Sequence, residues 1–398
     1  MASFVSYFLV TLAGLLAIPV TILLLEIVAA LTLPPRENEL HSKSGFRQRV
    51  ALLVPAHNEG AGILSTLEDL KAQMFPGDRL LVVADNCIDD TAAVAAATGA
   101  EVIERVEPAR TGKGYALDFG LKHLSLDPPA TVIVIDADCR VSEGTIDRLA
   151  TICAITRRPA QALDLMTTPS ESPINYRVAE FAWRVKNWVR PLGLNALNLP
   201  CQLMGTGMAF PWEIIRSANL ASGSIVEDMT LGLELAESGK PPLFCPSASV
   251  HSQFPLTVAG AKSQRKRWEG GHINMILTTL PGLIYKAVAE RNLGLLALTL
   301  DLAIPPLSFL VLLLVGTFSI AGLAVLFGYS STALIISAID FMVLVLAVFL
   351  AWLEYGRDVL PPIAFFSVAT YVFSKLPLYR HLVSGRATAQ WTRTDRKK

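Results

Sequence analysis

A long apolar stretch near the start of the chain limits what it can fold into. Residues 4–33 are apolar except for Glu26, and about 20 such residues are enough to cross a bilayer as a helix. A secretory signal would have a positively charged beginning and a shorter apolar core, and this stretch has neither. With 52% hydrophobic and 17% charged residues, the composition is also typical of a membrane protein.

A second apolar stretch lies in the last third of the chain. No charged residue occurs from Leu302 to Ile339, which is too long for one straight span. The GYSST segment at 328–332 divides it into two helices, at about 305–327 and 333–353. The sequence therefore predicts three transmembrane helices, the last two forming a hairpin.

The distribution of basic residues predicts the orientation in the membrane. Nothing basic precedes the first span, and four basic residues follow it closely: Arg36, Lys43, Arg47 and Arg49. Seven more crowd the C-terminus: Lys375, Arg380, Arg386, Arg393, Arg396, Lys397 and Lys398. Because cytoplasmic loops carry an excess of Lys and Arg, we expect an integral protein of the bacterial inner (plasma) membrane. Its N-terminus would lie outside, and its large domain and tail in the cytoplasm. The shorter apolar stretch at 359–374 then predicts a helix lying at the cytoplasmic interface.

Between the first span and the hairpin, the chain has the pattern of an α/β domain. Buried-type strands alternate with helical periodicity. The strands are predicted at 50–59, 79–86, 100–106 and 131–138, and the helices at 61–72, 89–98 and 113–124. This alternation predicts parallel βαβ units in a doubly wound, Rossmann-like sheet, whose ligands bind beyond the carboxyl ends of the strands. Polar residues stand at three of those ends: His57-Asn58-Glu59, Asp85-Asn86 and Asp136-Ala137-Asp138.

Several function classes are disfavoured. No GxGxxG follows the first strand and no GxxxxGK[ST] occurs, which argues against a dinucleotide cofactor and a P-loop. The net charge is zero and no extended basic block is present, so we expect no nucleic-acid partner. The five scattered cysteines have no CxxC spacing and are expected to be reduced cytosolic thiols.

Two acidic pairs are candidates for chemistry. Asp136 and Asp138 follow a buried strand with one residue between them, a spacing that suits a hard divalent cation holding phosphate oxygens. An Asp-rich turn is the alternative interpretation of an isolated DxD. Here the apolar strand residues IVI precede the DxD, which favours metal binding. Glu227 and Asp228 stand at a predicted helix start. They fit N-capping and a general base equally well.

Three further segments carry candidate ligand contacts. The glycines of MGTGMAF around Thr206, among them Gly205, would let backbone approach a ligand, or form a plain tight turn. Residues 174–190 form an amphipathic pattern, which favours a helix packed on the sheet or near the membrane over an acceptor platform. SQRKRWEGGH at 263–272 combines basic residues, which can anchor lipid headgroups, with Gln264 and Trp268.

Taken together, residues 48–275 resemble the inverting family 2 glycosyltransferases with a GT-A fold, in the membrane-bound group of cellulose, hyaluronan and chitooligosaccharide synthases. The resemblance rests on the DxD at 136–138, the acidic pair at 227–228 and above all QxxRW at 264–268, just before the membrane hairpin. It implies four regions: an N-terminal transmembrane helix (1–34), a cytoplasmic GT-A domain (48–290), a transmembrane hairpin (300–355), and an interfacial helix with a basic tail (356–398).

The resemblance also implies residue roles. Residues lining the nucleotide-sugar pocket would be Ala56, Glu59, Asp85, Lys113 and Asp136. Asp138 would coordinate Mg²⁺ or Mn²⁺, and Asp228 would deprotonate the acceptor hydroxyl. Diphosphate and acceptor would be held by Glu227, Gln264, Arg267, Trp268, Gly205 and Thr206. The second acidic motif reads DNCIDDT, so Asn86 departs from relatives that have an acidic residue there.

The implied activity is transfer of a sugar from a UDP-sugar to a growing oligo- or polysaccharide. A lipid acceptor, as in ceramide glucosyltransferases, is the alternative, and the small membrane portion favours it. Three spans are too few to enclose a polysaccharide channel in one chain. That predicts a homo-oligomer, an export partner, or a product that stays inside. A silent scaffold would have lost Asp138, Asp228 or Arg267, and all three are present.

Ionisable residues in or near the predicted spans are functional candidates by default. Asp340 lies within the hairpin, and Asp301 stands where the cytoplasmic boundary is expected. Glu26 lies about two turns from the cytoplasmic end of its span, where pairing with another helix, snorkelling or a functional role are open.

Overall fold

A computed structural model describes residues 2–36, 47–169, 172–221, 226–255 and 257–383. Contacts between Cα atoms divide the chain into two compact units. One comprises the described residues of Pro35–Pro169 and Asn198–Ser263, and we call it the catalytic unit. The other comprises those of Met1–Pro34, Ser170–Leu197 and Gln264–Ala389, and we call it the helical unit. Lys43 and the basic residues beyond 383 lie outside the described residues.

The catalytic unit is built on an eight-stranded sheet of order β3-β2-β1-β4-β7-β6-β8-β5. Its strands are β1 Val50–Ala56, β2 Arg79–Asp85, β3 Glu101–Arg105, β4 Thr131–Val134, β5 Arg140–Val141, β6 Ala160–Thr167, β7 Met208–Pro211 and β8 Leu243–Gln253. The pairs of β1 with β2 and β4, of β2 with β3 and of β6 with β8 are parallel, whereas β4–β7, β6–β7 and β5–β8 are antiparallel. The predicted α/β fold with a mostly parallel sheet is therefore confirmed.

Helices cover both faces of this sheet. They are α2 Leu64–Lys71, α3 Thr91–Ala97, α4 Lys113–Leu124, α5 Thr145–Thr156, α8 Trp212–Ile215 and α9 Glu227–Glu237, and a 3₁₀ turn at Gly60–Ile63 precedes α2. Successive residues of β1 point to opposite faces. Leu52 packs in the cluster with Leu67 of α2, and Leu53 packs in the cluster with Leu117 of α4. Burial on both sides explains why the predicted strands are continuous apolar runs.

The strand predicted at 131–138 is shorter in the structure. The β4 ladder ends at Val134, and the chain turns where the backbone N–H of Cys139 donates to the Asp136 carbonyl at 3.2 Å. The backbone N–H of Ile135 still donates to the Leu53 carbonyl at 3.1 Å, so the turn begins at the sheet edge. Both aspartates consequently lie on the turn and not in the strand.

The helical unit contains three helices that are long and apolar enough to cross a membrane, in agreement with the predicted number. Their spans are Phe4–Thr32 within α1 (Ala2–Thr32), Leu307–Leu326 (α13) and Thr332–Tyr355 (α14). The remaining helices are α6 Ile174–Arg184, α7 Arg190–Ala196, α10 Val258–Thr278, α11 Leu280–Ala289, α12 Leu293–Leu302, α15 Phe365–Ser374 and α16 Leu376–Val383. Helix α10 begins in the catalytic unit and continues into the helical unit. The interfacial position of 359–374 stays a prediction.

The amphipathic helix predicted at 174–190 is interrupted by a π-helix at Val185–Val189, between α6 and α7. Immediately after it, Arg190 is buried between two carboxylates. Its guanidinium donates to Glu26 of α1 at 3.0 Å and to Asp301 of α12 at 2.5 Å. Glu26 is therefore a helix-pairing residue, one of the alternatives that its position left open. Asp340 of α14 is also buried.

Candidate active site

Polar residues collect at the carboxyl edge of the parallel strands, as the sequence predicts. Ala56 is the last residue of β1 and Asp85 the last of β2. The segment after β1 is held against the segment after β2, because the backbone N–H of Glu59 donates to the Thr91 hydroxyl at 2.8 Å. His57 bonds through Nδ1 to the Asp85 carbonyl at 2.6 Å. The structure thus brings the ends of neighbouring strands to one edge.

Lys113 is at the centre of the cluster. It is the first residue of α4 and follows Gly112. The φ of Gly112 is 135°, a backbone conformation that glycine adopts readily. The Lys113 ammonium donates to the Asp136 carboxylate and, at 2.8 Å, to the Gly205 carbonyl. Three residues that are distant in sequence therefore meet at one ammonium group.

The loop before β7 forms a second side of the cluster around Lys113. The Thr206 hydroxyl accepts from the backbone N–H of Asp136 at 3.1 Å. Gly205 has a φ of +93°, and a Cβ placed there would lie 3.4 Å from Asp228 Oδ2 and 3.9 Å from Lys113 Nζ. Glycine therefore gives both the backbone conformation and the space beside the two charged groups. The approach of a ligand to this backbone stays a prediction.

Gln161 holds that loop and was missed by sequence reasoning. Its side chain is fully buried in β6, where Nε2 donates to the Thr206 carbonyl at 2.9 Å and Oε1 accepts from the Met204 backbone N–H at 2.9 Å. A polar residue inside an apolar strand was the available signal, because a buried amide is expected to satisfy specific partners.

Glu227 and Asp228 lie in the first turn of α9, whose N-cap residue is Val226. Burial, and then the neighbouring Asp228 carboxylate, raises the pKa of Glu227 to about 7, and Lys113 acts in the opposite direction. Burial alone would lower the pKa of Lys113. The carboxylates of Asp136, Glu227 and Asp228 outweigh it, so this pKa is raised. The Lys113 ammonium thus interacts with three carboxyl groups. Such a concentration of groups with shifted pKa values is typical of functional sites.

The donor set suits a hard cation shared with a substrate. Asp136 and Asp138 are half-buried on the turn after β4, and no group of three or more potential His, Cys, Asp or Glu ligands occurs in the described part of the chain. Mg²⁺ and similar ions are commonly held by one or two carboxylates, with substrate phosphates and water completing the shell. The two aspartates fit that mode of binding.

Asp85 is engaged by a partner that the sequence did not suggest. Arg105, at the end of β3, donates to Asp85 Oδ1 at 2.5 Å, and both side chains are buried. Arg105 also donates to Glu107 at 2.9 Å. Its position at a strand end was the signal that could have identified it.

Gln264, Arg267 and Trp268 lie on α10 and belong to the helical unit, whereas Lys113 belongs to the catalytic unit. Gln264 is buried, and the ring of Trp268 lies 5.0 Å from that of Trp183 on α6, measured between centroids. Trp183 was not singled out from the sequence, although its helix was considered as an acceptor platform.

Comparisons with known proteins agree with this architecture. Residues 47–271, more than half of the chain, match the family model described as glycosyltransferase like family 2. A mannosyltransferase from Pyrobaculum calidifontis, PcManGT, solved with GDP-mannose and Mn²⁺, has a similar fold with a TM-score of 0.55 at 18% identity. The similarity covers 88% of this chain and 99% of that one.

Curated relatives give the same family. The probable glycosyltransferase YdaM of Bacillus subtilis is 27% identical over 58% of this chain and 57% of its own length. The uncharacterized glycosyltransferase Rv0539 of Mycobacterium tuberculosis is 40% identical over 25% of this chain and 41% of its own length. The chain thus spans about half the length of the curated relatives it matches. The sheet has the GT-A arrangement, and the chain belongs to the glycosyltransferase like family 2.

Proposed function

We propose that this protein is a membrane-bound inverting glycosyltransferase that moves a sugar from a UDP-sugar to a growing oligo- or polysaccharide. The observation that carries the proposal is the meeting of Lys113, Asp136, Gly205 and Asp228 at the carboxyl edge of the sheet. A cation and carboxylates placed there suit a nucleoside-diphosphate substrate, because ligands of such sheets bind beyond that edge.

On the donor side, the nucleotide-sugar pocket would be formed by Ala56, Glu59, Asp85, Lys113 and Asp136. Asp138 would hold Mg²⁺ or Mn²⁺, which when bound would neutralise charge on the leaving diphosphate. The Lys113 ammonium would hold phosphate oxygens from the other side. Uracil as the base is part of the proposal, and the GDP-mannose bound by PcManGT makes guanine the competitor to test.

On the acceptor side, Asp228 would be the general base. Its carboxylate would take the proton of the acceptor hydroxyl, whose oxygen then bonds to the anomeric carbon from the face opposite the diphosphate. The bond from that carbon to the diphosphate oxygen breaks, and its electron pair leaves with UDP. The result is inversion at the anomeric carbon. Glu227, with its pKa near 7, lies beside this base.

The remaining predicted site residues would hold the two substrates. We propose that Gly205 and Thr206 shape the acceptor side of the pocket through backbone. Gln264 and Arg267 would hold the diphosphate, because a guanidinium binds phosphate oxygens in a bidentate manner. Trp268 would stack on the acceptor sugar.

The proposed setting is a cytoplasmic catalytic domain (48–290) on three spans, with the N-terminus outside and the tail inside. The domain bounds 1–34, 300–355 and 356–398 are part of this proposal. A saccharide product would need export through a homo-oligomer or a partner protein, or would remain in the cytoplasm.

A lipid acceptor is the second candidate. The described part of the chain contains three helices able to span a membrane, and a single transfer to a membrane lipid requires no channel. In that case the product would be a glycolipid, with the same donor chemistry at Lys113, Asp136 and Asp228.

The test is release of the nucleoside diphosphate, UDP or GDP, by purified, detergent-solubilised protein with a panel of UDP-sugars and with GDP-mannose, in Mg²⁺, Mn²⁺ or EDTA. Products are sized on a gel and extracted into organic solvent. We expect metal-dependent release with a UDP-sugar and a water-soluble product. An extractable product would favour the lipid acceptor, and no release with any donor would contradict the proposed activity.

A further inference from the structure

Two tryptophans from distant parts of the chain form an open aromatic pair in the helical unit. Trp183 lies near the end of α6 and Trp268 on α10, with ring centroids 5.0 Å apart and an interplanar angle of 41°. Both side chains are half-buried, so part of each ring is exposed. The two rings contact each other and together leave part of an apolar aromatic surface exposed.

The backbone that follows Trp183 is held in place by its neighbours. Arg184, the next residue, donates to the Tyr355 carbonyl at 3.1 Å and to Asp358 at 2.8 Å. The π-helix Val185–Val189 then buries Val185 and Val189 completely. π-Helical turns insert an extra residue and occur frequently at functional sites. The position of Trp183 beside Trp268 is therefore set by its neighbours and not by the pair alone.

A cation completes the surface. Lys186 is exposed, and its Nζ lies 5.6 Å from the centre of the Trp183 ring, within the range of a cation–π contact. Its ammonium has three donors and no acceptor. The surface thus combines the exposed parts of two aromatic rings with a hydrogen-bond donor above one of them.

That combination matches a sugar ring. One face of a pyranose presents C–H groups, which pack on aromatic rings, and its edge presents hydroxyl oxygens, which accept from an ammonium. An acyl chain would pack on the rings but offers no oxygen atoms to the Lys186 ammonium. The chemistry therefore favours a saccharide over a lipid chain at this place.

We propose that Trp183 binds the saccharide acceptor, packing with Trp268 against one sugar ring, with the Lys186 ammonium beside it. This inference rests on the proposed glycosyltransferase function and deepens it, because it identifies the acceptor as a saccharide and adds a specificity-determining residue on α6.

The first test uses the detergent-solubilised full chain, the preferred UDP-sugar, and gluco-, chito-, manno- and galacto-oligosaccharides as acceptors. For Trp183→Ala we expect about a ten-fold higher acceptor KM, which corresponds to about 1.4 kcal/mol, with the donor KM changed less than about two-fold. Trp183→Phe keeps an aromatic face and should recover most of the loss. Trp188→Phe is the matched control. Trp188 lies in the π-helix that follows α6, and its ring centroid is 5.0 Å from that of Tyr355, so the acceptor KM of Trp188→Phe should stay at the wild-type value.

A binding measurement separates this proposal from the proposed activity. Intrinsic tryptophan emission is titrated with the same oligosaccharides. A response in the wild type that weakens in Trp183→Ala supports the pair even if no donor is turned over. An unchanged midpoint in Trp183→Ala, or an absence of binding by wild type across the panel, overturns it. Transfer to diacylglycerol in mixed micelles whose KM rises in Trp183→Ala would overturn the saccharide assignment.

Discussion

At the scale of single residues, the catalytic unit has an unbalanced charge cluster. Lys113 is surrounded by Asp136, Glu227 and Asp228, and it donates directly to Asp136. The single ammonium faces the Asp136 and Asp228 carboxylates, and Glu227, with a pKa of about 7, adds negative charge as the pH rises. This agrees with the proposed divalent cation at Asp138, and it predicts that the carboxyl groups respond differently to substitution.

Asp228→Asn should abolish transfer while leaving donor binding largely intact, because only proton abstraction is removed. General-base catalysis contributes about 10²–10⁴-fold, so we expect a loss of that size in kcat. The measurements are initial rates and UDP affinity by calorimetry. Glu234→Gln, an exposed position on the same helix, is the control and should retain activity. A near-normal kcat in Asp228→Asn would contradict the assignment of the base.

Glu227→Gln should stabilise the substrate-free protein, and more so at high pH. The pKa of Glu227 is raised from 4.5 to about 7 in the folded state. Between those values the folded state binds more protons than the unfolded state, so the free energy of unfolding falls as the pH rises. The destabilisation is absent below about pH 4.5 and complete above about pH 7. It is on the order of 3 kcal/mol.

We would measure Tm at pH 5 and pH 8 in EDTA. The gain from Glu227→Gln should be clearly larger at pH 8, and Glu213→Gln, at an exposed position, is the control substitution. An equal gain at both pH values would show that the carboxyl does not titrate in this range.

The residues of this site were predictable to different degrees. Asp136, Asp138 and Lys113 stand next to strand or helix ends, where a local pattern indicates a site. Gln161 and Trp183 act through contacts with residues 45 and 85 positions away, at Thr206 and Trp268. No local period or motif contains that information, since it arises only when the sheet and helices pack.

At the scale of elements, α10 is tied to the C-terminal helices by its residue Glu269. The Glu269 carboxylate accepts from Lys375, between α15 and α16, and from the Tyr379 hydroxyl of α16 at 2.7 Å. Burial, and then the charge of Glu269, raises the pKa of Tyr379, which keeps its hydroxyl a donor. The segment that carries Arg267 and Trp268 is therefore fixed from its C-terminal side.

Breaking this link should destabilise the helical unit. Lys375→Met leaves the Glu269 carboxylate with a single donor in a place where its side chain is only 14% exposed. Removing one partner of a buried pair costs about 3–5 kcal/mol, and the lower end applies because the site is partly exposed. Tm of the detergent-solubilised protein would fall accordingly.

The charge-swapped double variant Glu269→Lys, Lys375→Glu is the informative control and should regain part of the lost Tm. For comparison, Glu213→Gln breaks an exposed ion pair with Arg216 and should change Tm little. If Lys375→Met behaved like Glu213→Gln, the link would contribute nothing to stability.

Most elements followed from sequence periodicity, and the exceptions have physical reasons. Helix α4 has the predicted bounds of 113–124. Its apolar face gives the helical period, and Gly112 marks its start. The strand predicted to 138 stops at Val134, since the following residues turn to reach Thr206. The π-helix at Val185–Val189 has the same apolar pattern as an α-helix and cannot be distinguished from it by periodicity.

At the scale of the whole molecule, the three candidate spans were predictable because a bilayer imposes a minimum apolar length. What the sequence left open was how the ionisable residues among them are compensated. Of Glu26, Asp301 and Asp340, Arg190 compensates the first two. It donates to both of them, although they are 275 positions apart in the sequence. Such a contact specifies one arrangement of α1, α7 and α12, because the alternatives leave a charge buried without its partner.

Arg190→Met should therefore be among the most destabilising substitutions in the helical unit. It leaves Glu26 and Asp301 buried together without their cation, for which we expect a loss of about 3–5 kcal/mol. The triple variant Glu26→Gln, Arg190→Met, Asp301→Asn removes all three charges and should recover much of that loss, since the penalty comes from uncompensated charge and not from the missing contact. Tm in detergent is the measurement, with Arg216→Met at the surface as the control. If the triple variant were no more stable than Arg190→Met alone, the hydrogen bonds of Arg190, and not its charge, would hold the three helices together.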